Sequence, residues 1–324
     1  MIAATAPGKL FLTGEWAVLR GAPALVVAVD RLVRVEVDAE AGDGALVIES
    51  LAEGRTWHHD GRGAAGDTSM PQGDAGAVVA VLRGLGWIHG RVVVDSRPFL
   101  IGERKLGLGR SAATIAAAVV TRRRLASAAV EPRAVLADAL AANARFQDGQ
   151  GSGADIAAAV YGGVVAAERR QDELTVARHA LPDGLELVAG WTGESAATTP
   201  LISAFATMPS PPVLPELAST ARDAVAAIEA NDGGRLCDAV DRSGDLLVRF
   251  GAETGLPIVT PALRRLIDTA RGAGAVAKPS GAGGGDCGIA IAPTARVAAA
   301  VRAAWRDAGI LPLDVVVAAQ GAVG

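Results

Sequence analysis

Each of the chain's three lysines lies in a different glycine-rich segment. The 324-residue chain has 31 basic residues, and all of them are arginines except Lys9, Lys105 and Lys278. An ammonium group is a compact point charge, whereas a guanidinium group is a broad planar fork. We therefore expect these three places to require a small cation. The alternative is a general preference for arginine combined with chance placement.

The middle segment, residues 105–113, has the features of a phosphate-binding loop. Gly107 and Gly109 let the backbone approach a ligand, and the sequence after them predicts a helix. The first N–H groups of a helix lie at the positive end of its dipole and favour an anion. The spacing is not that of a P-loop, nor that of a dinucleotide fingerprint, which needs a glycine at position 112. An ordinary loop before a buried alanine-rich helix is the alternative.

The third segment, residues 278–288, has five glycines among its eleven residues and lies between two short apolar stretches. Ordering so many glycines costs much conformational entropy. A flexible linker would have this composition, but linkers rarely lie between apolar strands. A backbone that wraps around an anion is the better explanation.

Two further charged residues lie in glycine-containing segments. Asp155 follows Gly151 and Gly153 at the start of a small-residue helix. Its carboxylate is either a first-turn charge that favours the helix dipole or a catalytic group. Lys9 lies at the start of the first predicted strand, in residues 6–15, where an ordinary surface lysine is the alternative.

The elements that must position these segments are strands in the first part of the chain and mostly helices in the last part. Turn residues 181–184 predict a boundary near residue 183, which gives domains 1–183 and 184–324. Apolar periodicity and caps predict strands at 10–12, 24–29, 32–37, 45–49, 91–95, 164–168, 174–178, 185–189, 275–278, 287–291 and 312–318. They predict helices at 74–85, with Asp74 as N-cap, and at 111–125, 132–146, 154–160, 198–208, 217–230, 235–250, 261–271 and 294–308.

Composition argues against several classes of function. A net charge of −4 with mixed signs disfavours a nucleic-acid partner. No apolar run is long enough to span a membrane, and the N-terminus lacks a signal-peptide pattern, so we expect a cytoplasmic protein. Cys237 and Cys287 form neither a disulfide framework nor a zinc motif, and the adjacent His58 and His59 are a weak metal candidate.

Taken together, the segments resemble the GHMP kinases, a family that includes galactokinase, homoserine kinase, mevalonate kinase and phosphomevalonate kinase. Residues 6–15, 107–113 and 281–288 resemble the family's three motifs, in the same order along the chain. The resemblance implies an α/β (α+β) fold of two domains with a cleft between them. The N-terminal domain would be like domain 2 of ribosomal protein S5, and the C-terminal domain would be ferredoxin-like.

The resemblance also implies the reaction. Residues 105–109, 151–157, 190–195 and 277–288 are most similar to the members that act on phosphomevalonate. Transfer of the γ-phosphoryl group of ATP to 5-phosphomevalonate, in the mevalonate pathway of isoprenoid synthesis, is therefore expected. ATP and Mg²⁺ would be the cofactors, and the partners would be small molecules only. The oligomeric state stays open, with a homodimer among the alternatives.

Site residues follow from the resemblance by position. Lys9 and Asp155 would be the catalytic pair, with Lys9 neutralising the approaching phosphates and Asp155 orienting Lys9 or the acceptor. The ATP-binding candidates are Gly107, Leu108, Gly109, Arg110, Ser111, Ala112 and Ser96, and Ser111 is also the candidate Mg²⁺ ligand. The acceptor-binding candidates are Lys105, Ser152, Lys278, Ser280, Gly283 and Gly284.

One position departs from the family pattern, because Arg110 stands where a serine is usual. Its guanidinium would contact phosphate, displace Mg²⁺ or point into solvent. Three other functions stay open: a kinase with an alcohol acceptor, in which Asp155 would be a working base, a decarboxylase on the same scaffold, and a non-catalytic ATP-binding relative.

Overall fold

The computed structural model describes residues 1–41, 44–59, 72–82, 89–146, 151–171, 173–196 and 198–322. Its strands are β1 (Ile2–Thr13), β2 (Ala24–Asp38), β3 (Leu46–Ser50), β4 (Arg55–His59), β5 (Gly90–Asp95), β6 (Leu100–Ile101), β7 (Arg104–Lys105), β8 (Val164–Arg170), β9 (Glu173–His179), β10 (Glu186–Trp191), β11 (Val276–Pro279), β12 (Cys287–Ala292) and β13 (Leu311–Leu313). Its α-helices are α1 (Gly73–Leu82), α2 (Arg110–Leu125), α3 (Pro132–Phe146), α4 (Ala154–Tyr161), α5 (Thr198–Ala206), α6 (Leu214–Glu229), α7 (Gly233–Thr254), α8 (Pro261–Gly272) and α9 (Ala295–Asp307).

The first sheet is built around the long strands β1 and β2. Its order is β4-β3-β5-β2-β8-β9, and β1 pairs with β2 outside this path. The sequence predicted two separate strands where β2 is continuous, because the polar pair Asp30 and Arg31 interrupts the apolar pattern. In the structure β2 is buried over its first six residues and then extends past the core with alternating burial. The polar pair marks that change of environment, and the strand does not end there.

Helix α2 is the helix that carries the second glycine-rich segment into the core. It packs on β1 and β2, and the side chains from Ala112 to Thr121 are buried. Alanine allows this close approach of helix to sheet. The predicted N-cap of α1 was wrong: Asp74 lies inside the first turn, where it is buried.

The second sheet has the order β11-β12-β10-β13, and all its pairs are antiparallel. Helices α8 and α9 pack on it. The change of sheet falls between β9 and β10, at the turn where the sequence places the domain boundary. The last predicted strand is shorter than expected, because the chain after β13 returns to the first sheet, where Val317 bridges Val29.

The two sheets share one hydrophobic core, which includes side chains of β1 and β2 together with Ile289 and Ile291 of β12. The halves are therefore packed together, and a cleft between them has walls from both. In the part of the chain that the structure describes, no helix has the length and apolar character needed to cross a membrane.

Candidate active site

One cleft between the halves contains residues from the first and third glycine-rich segments and from the start of α4. Six of the predicted site residues line it, namely Lys9, Gly107 of the middle segment, Ser152, Asp155, Ser280 and Gly283. Segments from opposite ends of the chain are thereby brought to a single space. Their roles in binding and catalysis remain predictions.

Lys9 is held on β1 directly beside the middle segment. Its backbone N–H donates to the carbonyl of Leu108 at 2.8 Å. A Cβ atom added to Gly109 would lie 2.8 Å from Cγ of Lys9, so only glycine allows this approach. The ammonium group lies 5.2 Å from the centre of the Phe11 ring. The lysine charge is thus fixed next to the start of α2.

The start of α2 has the geometry of an anion site. Gly109 precedes the helix with φ 79°, and no side chain caps the first turn. The N–H groups of this turn are therefore available to phosphate oxygens, and Lys9 lies beside them. Ser111 is partly buried and Ala112 is buried, while the Leu108 side chain belongs to the core and offers only backbone atoms. The start of α2 therefore suits the phosphates of a nucleoside triphosphate.

Arg110, the residue that departs from the family pattern, is turned away from this site. Its Nη2 donates to Glu53 at 3.1 Å, and its Nε lies 3.7 Å from a carboxylate oxygen of Asp74. The Arg110 side chain is 25% exposed. None of the three fates that the sequence left open describes this arrangement, because the guanidinium is paired with two carboxylates of its own chain.

Ser96, a predicted ATP contact, is fully buried. Its hydroxyl donates to Asp74 at 2.7 Å, and Ser50 donates to the same carboxylate oxygen at 2.8 Å. The Ser96 side chain has no exposed surface with which to contact a nucleotide. Ser96 follows β5, and its hydroxyl points into the protein, where it donates to a buried carboxylate.

Asp155 lies in the first turn of α4 and is partly exposed to the cleft. Its Oδ1 accepts the N–H of Ile156 at 2.9 Å. Among the described residues, no ion pair within 4.0 Å joins it to Lys9. The two predicted catalytic groups therefore face the same space without touching, which leaves room for a substrate between them.

The third glycine-rich segment bends tightly around the cleft. Gly281, Gly283, Gly284 and Gly285 all have positive φ, and so does Asp286. At Gly283 a Cβ atom would lie 2.3 Å from the carbonyl oxygen of Ile258, which excludes any other residue. The segment is a shaped backbone wall and not a linker.

Lys278, predicted to bind the acceptor, does not reach the cleft. Its side chain has no exposed surface, and its ammonium group pairs with Glu15, whose side chain is 2% exposed. It also donates to the carbonyl of Pro279 at 2.7 Å. Although β11 is an edge strand of the second sheet, helices α7 and α8 pack against it and enclose its lysine. Direct acceptor binding by Lys278 is incompatible with this burial.

Asp286 is a site residue that the sequence analysis did not single out. It lines the cleft, and its carboxylate accepts the N–H of Ala196 at 3.0 Å and lies 3.7 Å from Nζ of Lys105. Burial raises the pKa of the Asp286 carboxyl, while Lys105 and Lys9 oppose the shift. Lys105 is half exposed at the rim and donates to the carbonyl of Ala196 at 2.5 Å. The signal for Asp286 was available, since it is the one acidic residue in the third segment.

Metal ligands are scarce in the site. Among the described residues, no group of three His, Cys, Asp or Glu side chains could hold a metal ion. Mg²⁺ usually keeps several waters and is held by one or two protein groups plus substrate phosphates. The Ser111 hydroxyl at the start of α2 fits such a minor role. Asp148, a carboxylate between α3 and α4 in sequence that no spacing argument selects as a metal ligand, lies outside the described residues.

Comparisons with known proteins agree with this architecture. The model of the GHMP kinases N terminal domain matches residues 75–163, and that of the GHMP kinases C terminal region matches residues 224–311. The phosphomevalonate kinase of Streptomyces sp. (strain CL190) is 36% identical, with 98% of this chain and 97% of the relative covered. The mevalonate kinase of Aeropyrum pernix is 32% identical, with coverages of 89% and 87%.

A solved structure shows the same fold. It is Streptococcus pneumoniae phosphomevalonate kinase in complex with phosphomevalonate and AMPPNP, which matches with a TM-score of 0.81. Its sequence is 23% identical, and the match covers 98% of this chain and 100% of that one. The likeness supports the two-domain arrangement expected from the sequence.

Proposed function

Because this chain belongs to the GHMP kinase family, we propose that it is an ATP-dependent phosphomevalonate kinase, which forms 5-diphosphomevalonate. The observation that carries the proposal is the contact of Lys9 with Gly109, which fixes an ammonium group beside a helix N-terminus that suits phosphates. The 36% identity to a phosphomevalonate kinase over 98% of the chain supports the choice of acceptor.

ATP binds with its phosphates at the start of α2 in this proposal. Gly107 and Gly109 let the backbone approach, and the N–H groups of Arg110, Ser111 and Ala112 face the anion. Mg²⁺ would be held by the Ser111 hydroxyl and the nucleotide phosphates, and it would supply neutralising charge. The AMPPNP complex of the structural neighbour supports nucleotide binding.

Lys9 stabilises charge during transfer. Phosphoryl transfer depends mainly on positioning and on electrostatic stabilisation of the transferring group. Lys9 lies on the cleft wall beside both the phosphate site and Asp286, so its ammonium group can face the two approaching phosphates. A compact cation held in place needs no reorganisation as charge develops.

Asp155 orients the acceptor across the cleft from Lys9. A phosphate acceptor is largely ionised at neutral pH because its second pKa is near 6. It therefore needs no strong general base. The absence of an ion pair between Asp155 and Lys9 among the described residues supports a role towards the acceptor rather than towards the lysine.

The acceptor's own phosphate lies against the third segment and the start of α4. Ser152 and Gly283 supply a hydroxyl and a backbone donor in this proposal, and Lys105 at the rim supplies a positive charge. The predicted residues Ser280 and Gly284 shape the wall and do not donate to the acceptor, because the Ser280 hydroxyl donates to the Phe11 carbonyl and the Gly284 N–H donates to the Ile258 carbonyl. Lys278 contributes no direct contact. A cytoplasmic location and a homodimeric state remain predictions. Light scattering after size-exclusion chromatography tests the homodimer.

A kinase with mevalonate as acceptor is the second candidate, because several relatives are mevalonate kinases. Release of ADP, measured with mevalonate, phosphomevalonate, galactose and homoserine as acceptors, separates the two. We expect activity with phosphomevalonate to exceed that with the others by at least about 100-fold. Greater activity with mevalonate would refute the assignment, and inactivity with all four would favour a non-catalytic relative.

A further inference from the structure

The buried ion pair between Glu15 and Lys278 joins the two halves of the protein at the cleft, which Glu15 lines. Both side chains are almost completely buried. Glu15 follows β1, in a turn where Gly14 and Trp16 have positive φ, and Lys278 lies on β11. The pair therefore connects the strand that carries Lys9 to the strand that leads into the third glycine-rich segment.

Each charge of this pair depends on the other. Burial lowers the pKa of Lys278, and Glu15 opposes that shift. The Oε2 atom of Glu15 is buried and has no hydrogen-bond partner among the described residues. The Glu15 carboxylate is therefore compensated through Oε1 alone, by Lys278 and by the N–H of Gly281 at 3.4 Å. Removing one partner would leave an uncompensated buried charge.

The pair reinforces a second connection close to it. The Ser280 hydroxyl accepts the N–H of Phe11 at 2.8 Å and lies 3.2 Å from the carbonyl oxygen of the same residue, to which it donates. Phe11 is two residues from Lys9, and Gly281 follows Ser280. Together these contacts set the distance between the lysine and the backbone wall opposite it.

We infer that Glu15 and Lys278 are positioning residues of the proposed phosphoryl transfer. They fix the third glycine-rich segment onto the strand that carries Lys9. Lys278 has no exposed surface with which to touch a substrate, and Glu15 lines the cleft with only 2% of its side chain exposed. The catalytic readout of this inference rests on the proposed function, but the geometric claim does not. A lysine suits the position because its narrow stem and compact ammonium group fit where a planar guanidinium would not.

A double replacement separates positioning from direct binding. Lys278→Met and Glu15→Gln each leave one buried charge unpaired, whereas the double variant replaces the pair by neutral groups of similar size. Replacement of a whole buried pair is often tolerated when the loss of one partner is not. If Lys278 bound the acceptor, the double variant would be as defective as Lys278→Met. If the pair positions the third glycine-rich segment, adding Glu15→Gln to Lys278→Met restores activity.

The experiment measures kcat and KM for ATP and for phosphomevalonate in all three variants and in Lys278→Arg, well below each variant's Tm. We expect Lys278→Met to lose about 100-fold in kcat/KM, the cost of a displacement of about 1 Å near the reacting groups. The double variant should recover at least about tenfold of this loss. Lys278→Arg should not keep wild-type activity, because the planar guanidinium group does not fit this buried position.

Arg123→Met is the matched control. Arg123 pairs with Asp138 at 2.6 Å at the far end of α2, and Arg122 lies 3.7 Å from the same carboxylate, so the variant loses one ion pair far from the cleft. The Arg123→Met variant should have a lower Tm than wild type and an unchanged kcat/KM. Wild-type kinetics in Lys278→Met, or a folded double variant as inactive as the single one, would overturn the inference.

Hydrogen exchange gives a readout that does not depend on the substrate. Amides of residues 280–286 should exchange faster in Lys278→Met and return to slow exchange in the double variant, with α8 unchanged in both. If wild type is inactive with phosphomevalonate but these exchange rates change as expected, the proposed function fails and the positioning inference stands. Unchanged exchange in Lys278→Met refutes the inference alone. Should Lys278→Met not fold, exchange and kinetics of the double variant decide, since near-wild-type values are expected there.

Discussion

Gly107 lies so close to Asp286 that a Cβ atom added to Gly107 would be 2.4 Å from the Cβ of Asp286. Gly107 belongs to the nucleotide side of the proposed site, and Asp286 to the acceptor side. The Cys287 thiol also donates to the carbonyl of Leu106 at 2.8 Å, next to this contact. The second and third glycine-rich segments therefore touch directly, and their separation is set by the absence of a side chain at one position.

Gly107→Ala should abolish most activity. The new methyl group meets the Asp286 side chain, and alanine at φ 76° adds strain of about 1–3 kcal/mol. Because the clash pushes the two segments apart, we expect kcat/KM to fall by about 100-fold or more. ADP release with phosphomevalonate and chemical denaturation measure the two effects.

Gly309→Ala is the control for backbone strain. Gly309 has the same φ of 76° but no heavy atom within 4 Å of an added Cβ, and it lies far along the chain after α9. It should lose stability of about 1–3 kcal/mol and keep kcat within about twofold. Equal loss of activity in both alanine variants would mean that strain, and not the contact with Asp286, is responsible.

Lys9→Met should lower kcat by about 100- to 1000-fold, because one preorganised positive charge is lost from the transition state. The KM for ATP should change much less. Stability should be nearly unaffected, since Lys9 is partly exposed and has no ion-pair partner within 4.0 Å among the described residues. Steady-state kinetics and Tm test this, and a kcat near that of wild type would contradict the role given to Lys9.

The sequence predicted most of the helices, because caps and apolar periodicity are local signals. The common site of the glycine-rich segments was implied by the family resemblance. Helix α3 has the predicted bounds, 132–146. The sequence did not predict that β2 is one strand. Asp30 and Arg31 mark a change of burial along it that only the tertiary packing explains.

The sequence also did not predict the direction in which several side chains point. Lys278 and Lys105 both occur in glycine-rich segments, yet one is buried against Glu15 and the other lies at the rim beside Asp286. Nothing in the spacing distinguishes them, because the partner of Lys278 is 263 residues away. Ser96 was wrongly predicted as an ATP contact for the same reason: its hydroxyl donates to the buried Asp74, which the sequence analysis treated as a helix N-cap.

Asp155→Asn should lower kcat by no more than about tenfold with phosphomevalonate at about pH 7.5. The acceptor phosphate is already largely ionised there, so only orientation is lost. A general base usually contributes about 10²- to 10⁴-fold. Asp155→Ala serves as the comparison, because it also removes the polar contact and should be worse than asparagine. A loss above about 100-fold in the asparagine variant would indicate an alcohol acceptor and a working base.

Arg110→Ser should restore the usual family residue and yet weaken the protein. Arg110 neutralises Glu53 and Asp74, and Asp74 is buried. Without the guanidinium, two carboxylates remain without this positively charged partner near the start of α2, where the ATP phosphates are proposed to bind. We expect the free energy of unfolding to fall by about 1–3 kcal/mol and the KM for ATP to rise by about three- to tenfold at low salt.

A second change, Glu53→Gln, identifies the cause of the Arg110→Ser effect. In the double variant one of the two unpaired charges is gone, so the KM for ATP should recover by about half of its rise on a logarithmic scale. Added salt should have a similar effect in the single variant, because it screens the carboxylates. Arg133→Ser, an exposed arginine in the first turn of α3, controls for loss of charge alone and should leave both quantities unchanged. An ATP KM in Arg110→Ser that equals that of wild type would mean that the two carboxylates do not influence the phosphate site.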